Sequence, residues 1–385
     1  MRRLNRREFL ASSALAAAGG AVLSGCGSSS GGGPSAAASV THPPLSAEPA
    51  TMSILEWAGY EAAGTKAQTS GMTVAGKPYI QQFGPNSVTY TYIVDDDQAL
   101  AKATTGGPFD LMHPCHENIP DYVNRKLVQE WDTSLLPSFS QLNPYLVKKG
   151  QFNGKQYMIP WDWGYGSLLY RTDKIDPADA TGWELAWNSK YSGKISLWSG
   201  ASTNYEIAAL KNGLKNMDVY TSSQVEQLKQ DLITQKPLNK FYWGAEYTQM
   251  QPAFKSGDIW IAYTWQDTLV AMQAAGLKVA FLNPSQGKLS WMCGFMLGAN
   301  TPNYHHAHAY VESFINQAAC AQMTNAFYYG TANLHVTPAD IQNKTLAASL
   351  HLDNPLAISA PDVHLQSWTP NRSQVELAWQ EVKAS

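Results

Sequence analysis

The sequence is short of charge, short of cysteine, and empty of long apolar runs once its first 25 residues are passed. Only 15% of its residues are Asp, Glu, Lys or Arg, and four are Cys. Beyond residue 25 nothing approaches the roughly 18 uninterrupted apolar residues that a transmembrane helix needs. No Gly-x-Ser-x-Gly elbow, phosphate-cradling glycine loop or zincin motif occurs, nor a closely spaced acid pair suited to acid–base work. Internal repeats are missing too. These gaps speak against a nucleotide enzyme, a zinc protease and a repeat scaffold. One enzymatic alternative survives them, an exported lipoprotein hydrolase with a scattered triad, because such constellations are not local in sequence.

What is present starts with a sorting signal. Arg2, Arg3, Arg6 and Arg7 form a basic region, and Ala11 to Leu23 is apolar but too short and too rich in Ala and Gly to span a bilayer. Asn5-Arg6-Arg7-Glu8-Phe9-Leu10 resembles a twin-arginine export motif. Leu23-Ser24-Gly25-Cys26 resembles a lipobox, in which cleavage precedes Cys26 and its sulfur takes a diacylglycerol. Residues 1–25 are thus expected to be the signal, and residues 26–50 the lipidated Cys26 with a flexible linker. Gly27 to Pro34 has almost nothing to bury, and ordered structure is expected to begin near Met52. Loss of residues 1–25, which carry four Arg and one Glu, takes the net charge from −3 to −6. That mild acidity argues against nucleic acid as a partner and weakly favours cationic ligands. Three cysteines remain, Cys115, Cys293 and Cys320, and one disulfide plus one buried thiol is their simplest arrangement in an oxidising compartment.

Residues 51–385 are too many for one simple core and suit two lobes. Thirteen Trp and nineteen Tyr supply rings for cores and ligand clefts alike. Strands are expected at Met52–Trp57, Ser87–Val94, Phe109–Met112, Lys194–Trp198, Asp258–Thr264, Lys278–Leu282 and Ser290–Leu297. Helices are expected at Asp97–Thr104, Asn204–Leu214, Ser223–Thr234, Asp267–Ala275 and Ala309–Gln317. Their alternation is the rhythm of a parallel α/β layer. Ligands sit beyond the carboxyl ends of such strands, and Trp57 and Cys115 lie at two of those ends.

A series of landmarks follows in order over residues 52–385: Trp57-Ala58-Gly59-Tyr60, Phe109-Asp110-Leu111-Met112-His113-Pro114, and Met158-Ile159-Pro160-Trp161-Asp162-Trp163-Gly164. Trp183-Glu184-Leu185-Ala186-Trp187, Lys190-Tyr191-Ser192-Gly193-Lys194, Lys255-Ser256-Gly257-Asp258, Ala262-Tyr263-Thr264-Trp265 and Ser290-Trp291-Met292 complete it. In this series the chain resembles the spermidine/putrescine-binding proteins of ABC importers, a branch of the periplasmic binding-protein superfamily. The 26-residue step from Trp265 to Trp291 matches the family's spacing of two cleft tryptophans. The resemblance implies an α/β fold of two lobes, each a mixed sheet flanked by helices, with the ligand cleft between them. Lobe 1 would comprise residues 51–165 plus 292–335, and lobe 2 residues 166–291 plus 336–385. Ile159–Tyr170 and Ser290–Phe295 would cross between them. It also implies a monomer in the periplasm or at the cell surface, anchored to the membrane through Cys26. It would work with an ABC permease and ATPase, without a cofactor.

The same resemblance assigns a site. Trp57, Tyr60, Trp265 and Trp291 fall where the family places its aromatic box, whose ring faces attract ammonium groups. Cys115, Glu117, Asp162 and Cys293 join them, with Gly59, Gly200 and Thr203 as secondary contacts. Gly59, Cys293, Gly200 and Thr203 stand where the family carries acids, while Glu117 is an acid where it has none. Glu117 is therefore the expected anionic contact, and Asp267 is either further charge or a helix-start residue. The ligand could be a smaller or singly charged cation, a quaternary amine, or a neutral or zwitterionic amino compound. Cys115 and Cys293 fall at ligand-facing positions of one lobe in the family pattern, which implies a disulfide between them. Cys320 reads as a buried thiol. His113-Pro114-Cys115-His116-Glu117 carries four potential metal donors, but a proline in so tight a spacing opposes their convergence, and no metal site is expected. His305, His306 and His308 are expected on a polar loop before a helix, as a solvated surface or a helix-start feature.

Overall fold

The computed structural model describes residues 42–57, 60, 77–84, 86–214, 216–244, 249–349, 351–352, 354, 356–367 and 369–385. The signal, Cys26 and Gly59 lie outside the described residues, as does the linker up to residue 41.

Runs of β-branched and aromatic residues form the strands that carry the fold. They are β1 (Met52–Trp57), β2 (Val88–Ile93), β3 (Leu111–Met112), β4 (Met158–Arg171), β5 (Ile195–Trp198), β6 (Asn239–Trp243), β7 (Ile261–Trp265), β8 (Lys288–Gly298) and β9 (Val363–Leu365). The helices that matter to the site are α1 (Asp96–Thr105), α2 (Ile119–Asn124), α3 (Ala201–Lys211), α4 (Ser222–Gln235), α5 (Gln266–Ala274), α6 (Tyr304–Ile315), α7 (Gln317–Phe327) and α8 (Arg372–Ala384). Among the described residues one mixed sheet of twelve strands has the main order β2-β1-β3-β8-β4-β7-β5-β6. β2 and β3 run parallel to β1, and β5 runs parallel to both β6 and β7. β8 is antiparallel to β3 and β4, and β7 is antiparallel to β4.

The two long central strands are shared by both halves of the sheet. β4 and β8 pair from Gly166 with Leu289 to Met158 with Met296, with a register shift between Cys293 and Gly294. The first twelve residues of β4 are all buried. This explains why its sequence shows no alternation: a strand covered on both faces has no solvent side. Around its N-terminal half lies a core drawn from β1, β3, β8, α6 and α7. Around its C-terminal half, successive residues face opposite ways. Leu168, Ile261 and Tyr263 enter one core with α3, α4 and α8, while Leu169 and Ala262 enter another with Phe254 and Met272. Val375, Ala378, Trp379 and Val382 form the buried stripe of α8, at the spacing of one helix face.

Two expectations are corrected. Residues 42–50 do not behave as tether. Glu48, only 7% exposed, accepts from His305 N at 2.8 Å and His306 N at 2.9 Å, and Ala50 N donates to Asn303 Oδ1. A carboxylate there satisfies the otherwise unpaired N–H groups at the start of α6, so the packed chain begins ahead of Met52. His306 and His308 are buried within α6, which starts at Tyr304, five residues before its expected start. His306 Nδ1 bonds Tyr79 Oη at 2.7 Å, His308 Nδ1 bonds Tyr304 O at 2.7 Å, and burial pushes both imidazoles below their ordinary pKa.

Candidate functional site

The site is built from strand ends. Trp57 ends β1, Cys115 to Glu117 follow β3, Trp265 ends β7, and Trp291 lies within β8 opposite Gly164 of β4. Tyr60 stacks on Phe327 with centroids 4.7 Å apart, Phe327 stacks on Tyr329 at 6.1 Å, and Trp291 meets Tyr329 edge-on at 4.8 Å. A continuous aromatic wall thus joins Tyr60 to Trp291. The helix end makes this possible: Tyr328 closes α7 in the left-handed region (φ 59°), a conformation uncommon for a side chain of its size, and separates Phe327 from Tyr329. Trp265 has a different setting. It lies edge-on to Trp198 at 5.2 Å and to Trp243 at 5.4 Å, which are themselves 4.7 Å apart.

Cys115 and Cys293 are joined in a disulfide, which fastens the loop after β3 to β8 at its register shift. Glu117 stands two residues beyond, its side chain 12% exposed and its Oε2 3.3 Å from His116 Nδ1. Asp96, in the first turn of α1, accepts from Cys115 N at 2.9 Å. Burial, and after it the charge of Glu117, push the Asp96 carboxyl up to about 8. Glu206 in α3 is likewise pushed up to about 8, first by burial, with Glu117 among the charges that add to the effect. Its oxygens accept from Gln366 Nε2 at 2.9 Å and Ser367 N at 3.0 Å. Thr203, one turn earlier on α3, is buried and also accepts from Gln366 Nε2, while Gly200 caps the helix start.

Asp162 is directed elsewhere. It is 1% exposed and its Oδ1 lies 3.5 Å from His113 Nε2, while His113 Nδ1 meets Glu56 Oε1 at 2.6 Å. Burial alone would lower His113, but the carboxylates of Glu56 and Asp162 on its two nitrogens outweigh burial and hold it at about 10. Asp162 thus gives its charge to a buried imidazolium. This also dissolves the four-donor loop: His113 faces its two acids and Cys115 is bound to Cys293. Among the described residues no group of three or more His, Cys, Asp and Glu side chains is placed to hold a metal. Cys320 is a free, buried thiol, pushed up to about 12 by burial.

Several residues of this surface escape a reading of motifs. Phe327 and Tyr329 sit on a helix end with no motif of their own. Asp96 stands in the run Asp95-Asp96-Asp97, where Asp95 caps α1 by accepting from Gln98 N, so the run reads as a helix start. Glu206 had a usable signal, since it lies three residues after Thr203 and hence on the same helical face. Gln266 opens α5 directly after Trp265 and is fully buried.

Comparison with known proteins agrees with this architecture. The family model described as bacterial extracellular solute-binding protein matches residues 47–349. The spermidine/putrescine-binding periplasmic protein of Escherichia coli K12 is 24% identical over 267 residues, 67% of this chain and 75% of that protein. The putrescine-binding periplasmic protein PotF of the same organism is 23% identical over 369 residues, 88% of this chain and 93% of its own. Among solved structures, the spermidine/putrescine ABC transporter substrate-binding protein PotD of Streptococcus pneumoniae superposes with a TM-score of 0.69 at 16% identity, covering 87% of this chain and 98% of that one. These likenesses establish the two-lobed binding-protein fold.

Proposed function

The chain belongs to the bacterial extracellular solute-binding protein family, and from that premise we propose how it works. It is the extracytoplasmic receptor of an ABC importer, and it captures a small amine-bearing cation. The solute passes unchanged to the permease and its ATPase. The observation that carries this reading is Glu117: a nearly buried carboxylate on a lobe whose wall is aromatic from Tyr60 to Trp291. A carboxylate in that setting binds an ammonium strongly, because little water competes for either charge. Relatives named for spermidine and putrescine support an amine. Asp96 and Glu206, whose carboxyls are held at about 8 and are largely protonated at neutral pH, leave Glu117 to supply the charge in place of the acids lost at Gly59, Gly200, Thr203 and Cys293. Trp57, Tyr60, Trp265 and Trp291 supply the ring faces, and closure of the lobes about β4 and β8 excludes water.

The rest of the reading follows the sequence. Residues 1–25 direct twin-arginine export, Cys26 carries the lipid anchor, and the receptor acts as a monomer without catalysis. Lobe 1 comprises residues 51–165 and 292–335, and lobe 2 residues 166–291 and 336–385. A thermal-shift panel of amines, amino acids and neutral solutes tests the receptor. A ligand at a hundred times its Kd adds about 2.7 kcal/mol, a rise of several degrees. A shift with neutral sugars and none with any amine would overturn the reading. The mass of the membrane-extracted protein tests the anchor.

A further inference from the structure

The chemistry of the solute is narrowed by hydrogen-bond donors that the fold leaves unpaired inside the site. Gln266 is fully buried, and its Oε1 accepts from Tyr165 N at 2.8 Å. That bond fixes which end of the amide is oxygen, and leaves Nε2, which is buried and has no acceptor among the described residues. Trp291 is 8% exposed, and its Nε1 is also buried without an acceptor. The two side chains meet at Gly164. A β-carbon on that glycine would lie 2.5 Å from Gln266 Oε1, 2.6 Å from Trp291 Cζ2 and 2.8 Å from Trp291 Cε2, the ring carbon bonded to Nε1. Both side chains thus pack directly on Gly164, and the two unpaired donors belong to neighbouring side chains packed on β4. Trp57 Nε1, at the end of β1, is a third buried donor without an acceptor among the described residues.

An indole N–H and an amide NH2 can only donate, and an ammonium can only donate as well. A plain polyamine would cover these groups and satisfy none of them, and a buried unpaired donor weakens binding. A carbonyl or carboxylate oxygen, with two lone pairs, would take both. We propose that the solute is an amine that also carries such an oxygen, which takes up Gln266 Nε2 and Trp291 Nε1 beside Gly164, with its ammonium on the Glu117 side. This rests on the amine reading above and narrows it. It also accounts for the departure at Cys293, where the resemblance expected an acid: two residues from Trp291, a second carboxylate would repel a carboxylated solute.

Titration calorimetry on the full chain tests this with four probes: putrescine, 4-aminobutyrate, 5-aminopentanoate and N-acetylputrescine. At least one oxygen-bearing amine is expected to bind about tenfold or more tighter than putrescine, with the ω-amino acids and N-acetylputrescine distinguishing a carboxylate from an amide oxygen. Trp291→Phe keeps the ring and removes the donor, and should cut that preference about tenfold. Gln266→Glu keeps the acceptor for Tyr165 and turns the other donor into an acceptor, and should move the preference towards putrescine; it also stands as the test if the Phe variant does not fold. Putrescine binding tightest, or a preference that neither variant moves, overturns the inference while leaving the amine receptor standing. Binding of none of the four overturns both.

Discussion

Arg372 Nη1 donates to Asp121 Oδ2 at 2.7 Å, joining α8, which packs on α3 and α4, to α2, which packs on the opposite lobe. The same guanidinium reaches Asn118 Oδ1 at 3.2 Å and Asp97 Oδ1 at 2.8 Å. It is a fork from α8 to the segment after β3 and to α1, reaching the residues next to Glu117 and Asp96. Asp97 is 80% exposed and contributes little through water, whereas Asp121 is 36% exposed. Arg372→Met should cost closure about 1 kcal/mol, lowering solute affinity about fivefold. Calorimetry reads the affinity, and small-angle scattering should show a more open unliganded protein.

Glu117→Gln keeps the shape of the side chain and removes its charge. Amine affinity should fall at least tenfold, since charged hydrogen bonds contribute about 1.5–3 kcal/mol. Trp265→Ala should weaken binding by about 2 kcal/mol. Melting temperatures should separate the two: the first variant should melt with the parent, the second below it, because Trp198 and Trp243 pack on Trp265.

Glu206 makes stability depend on pH in a direction opposite to a salt-bridged acid. Its carboxyl is held at about 8 in the folded chain, above the value of about 4.3 in an unfolded one. Between those values the native state holds a proton that the unfolded state has lost, so stability falls as pH rises through the window and levels off above about 8. The slope for one such group is at most about 1.4 kcal/mol per pH unit. Glu206→Gln should flatten the curve of melting temperature against pH, and Asp96→Asn should flatten it again. A steeper curve in either variant would contradict the assignment.

The disulfide spans 178 residues of sequence. Replacing both Cys115 and Cys293 by Ser should lower the unfolding free energy by about 2–4 kcal/mol, read from urea titrations with and without a thiol reductant. Reductant should leave the variant unchanged. Cys320, with its thiol pushed up to about 12 by burial, should react with iodoacetamide at neutral pH only once the chain unfolds.

Those outcomes depend on side chains that a linear reading located unevenly. Strands were legible where residue type and period agreed, as at Met52–Trp57 and Ile195–Trp198. The crossover strands were legible through the landmarks around Trp161 and Trp291. Aromatic residues were found where they belonged to a motif and missed where a helix end delivered them, as at Phe327 and Tyr329. Acids were harder. Asp162 lay in a motif, yet its charge belongs to His113, and that pairing joins a residue of β4 to one 49 positions earlier, in the loop after β3. Glu206 carried no signal but its spacing from Thr203, because Thr203 to Leu210 are all buried and no amphipathic stripe marked it out. The histidines of α6 were misjudged because polarity was taken for exposure, whereas Tyr79, Tyr304 and Glu48 give them partners that no local pattern displays.

The placing of Trp291 and Gly164 on the two strands that run through both lobes has a further consequence. In the reading proposed above, the surface that meets the solute and the joint about which the lobes turn share these two strands. Any change that widens the site for a different molecule also alters the stiffness of the joint. A new specificity in this scaffold therefore has to be found together with a new balance of opening and closing. The acids, which stand on helices and loops beside those strands, can change without disturbing the motion. On the proposed reading, that offers a mechanical reason for keeping tryptophans on the central strands while the carboxylates around them vary.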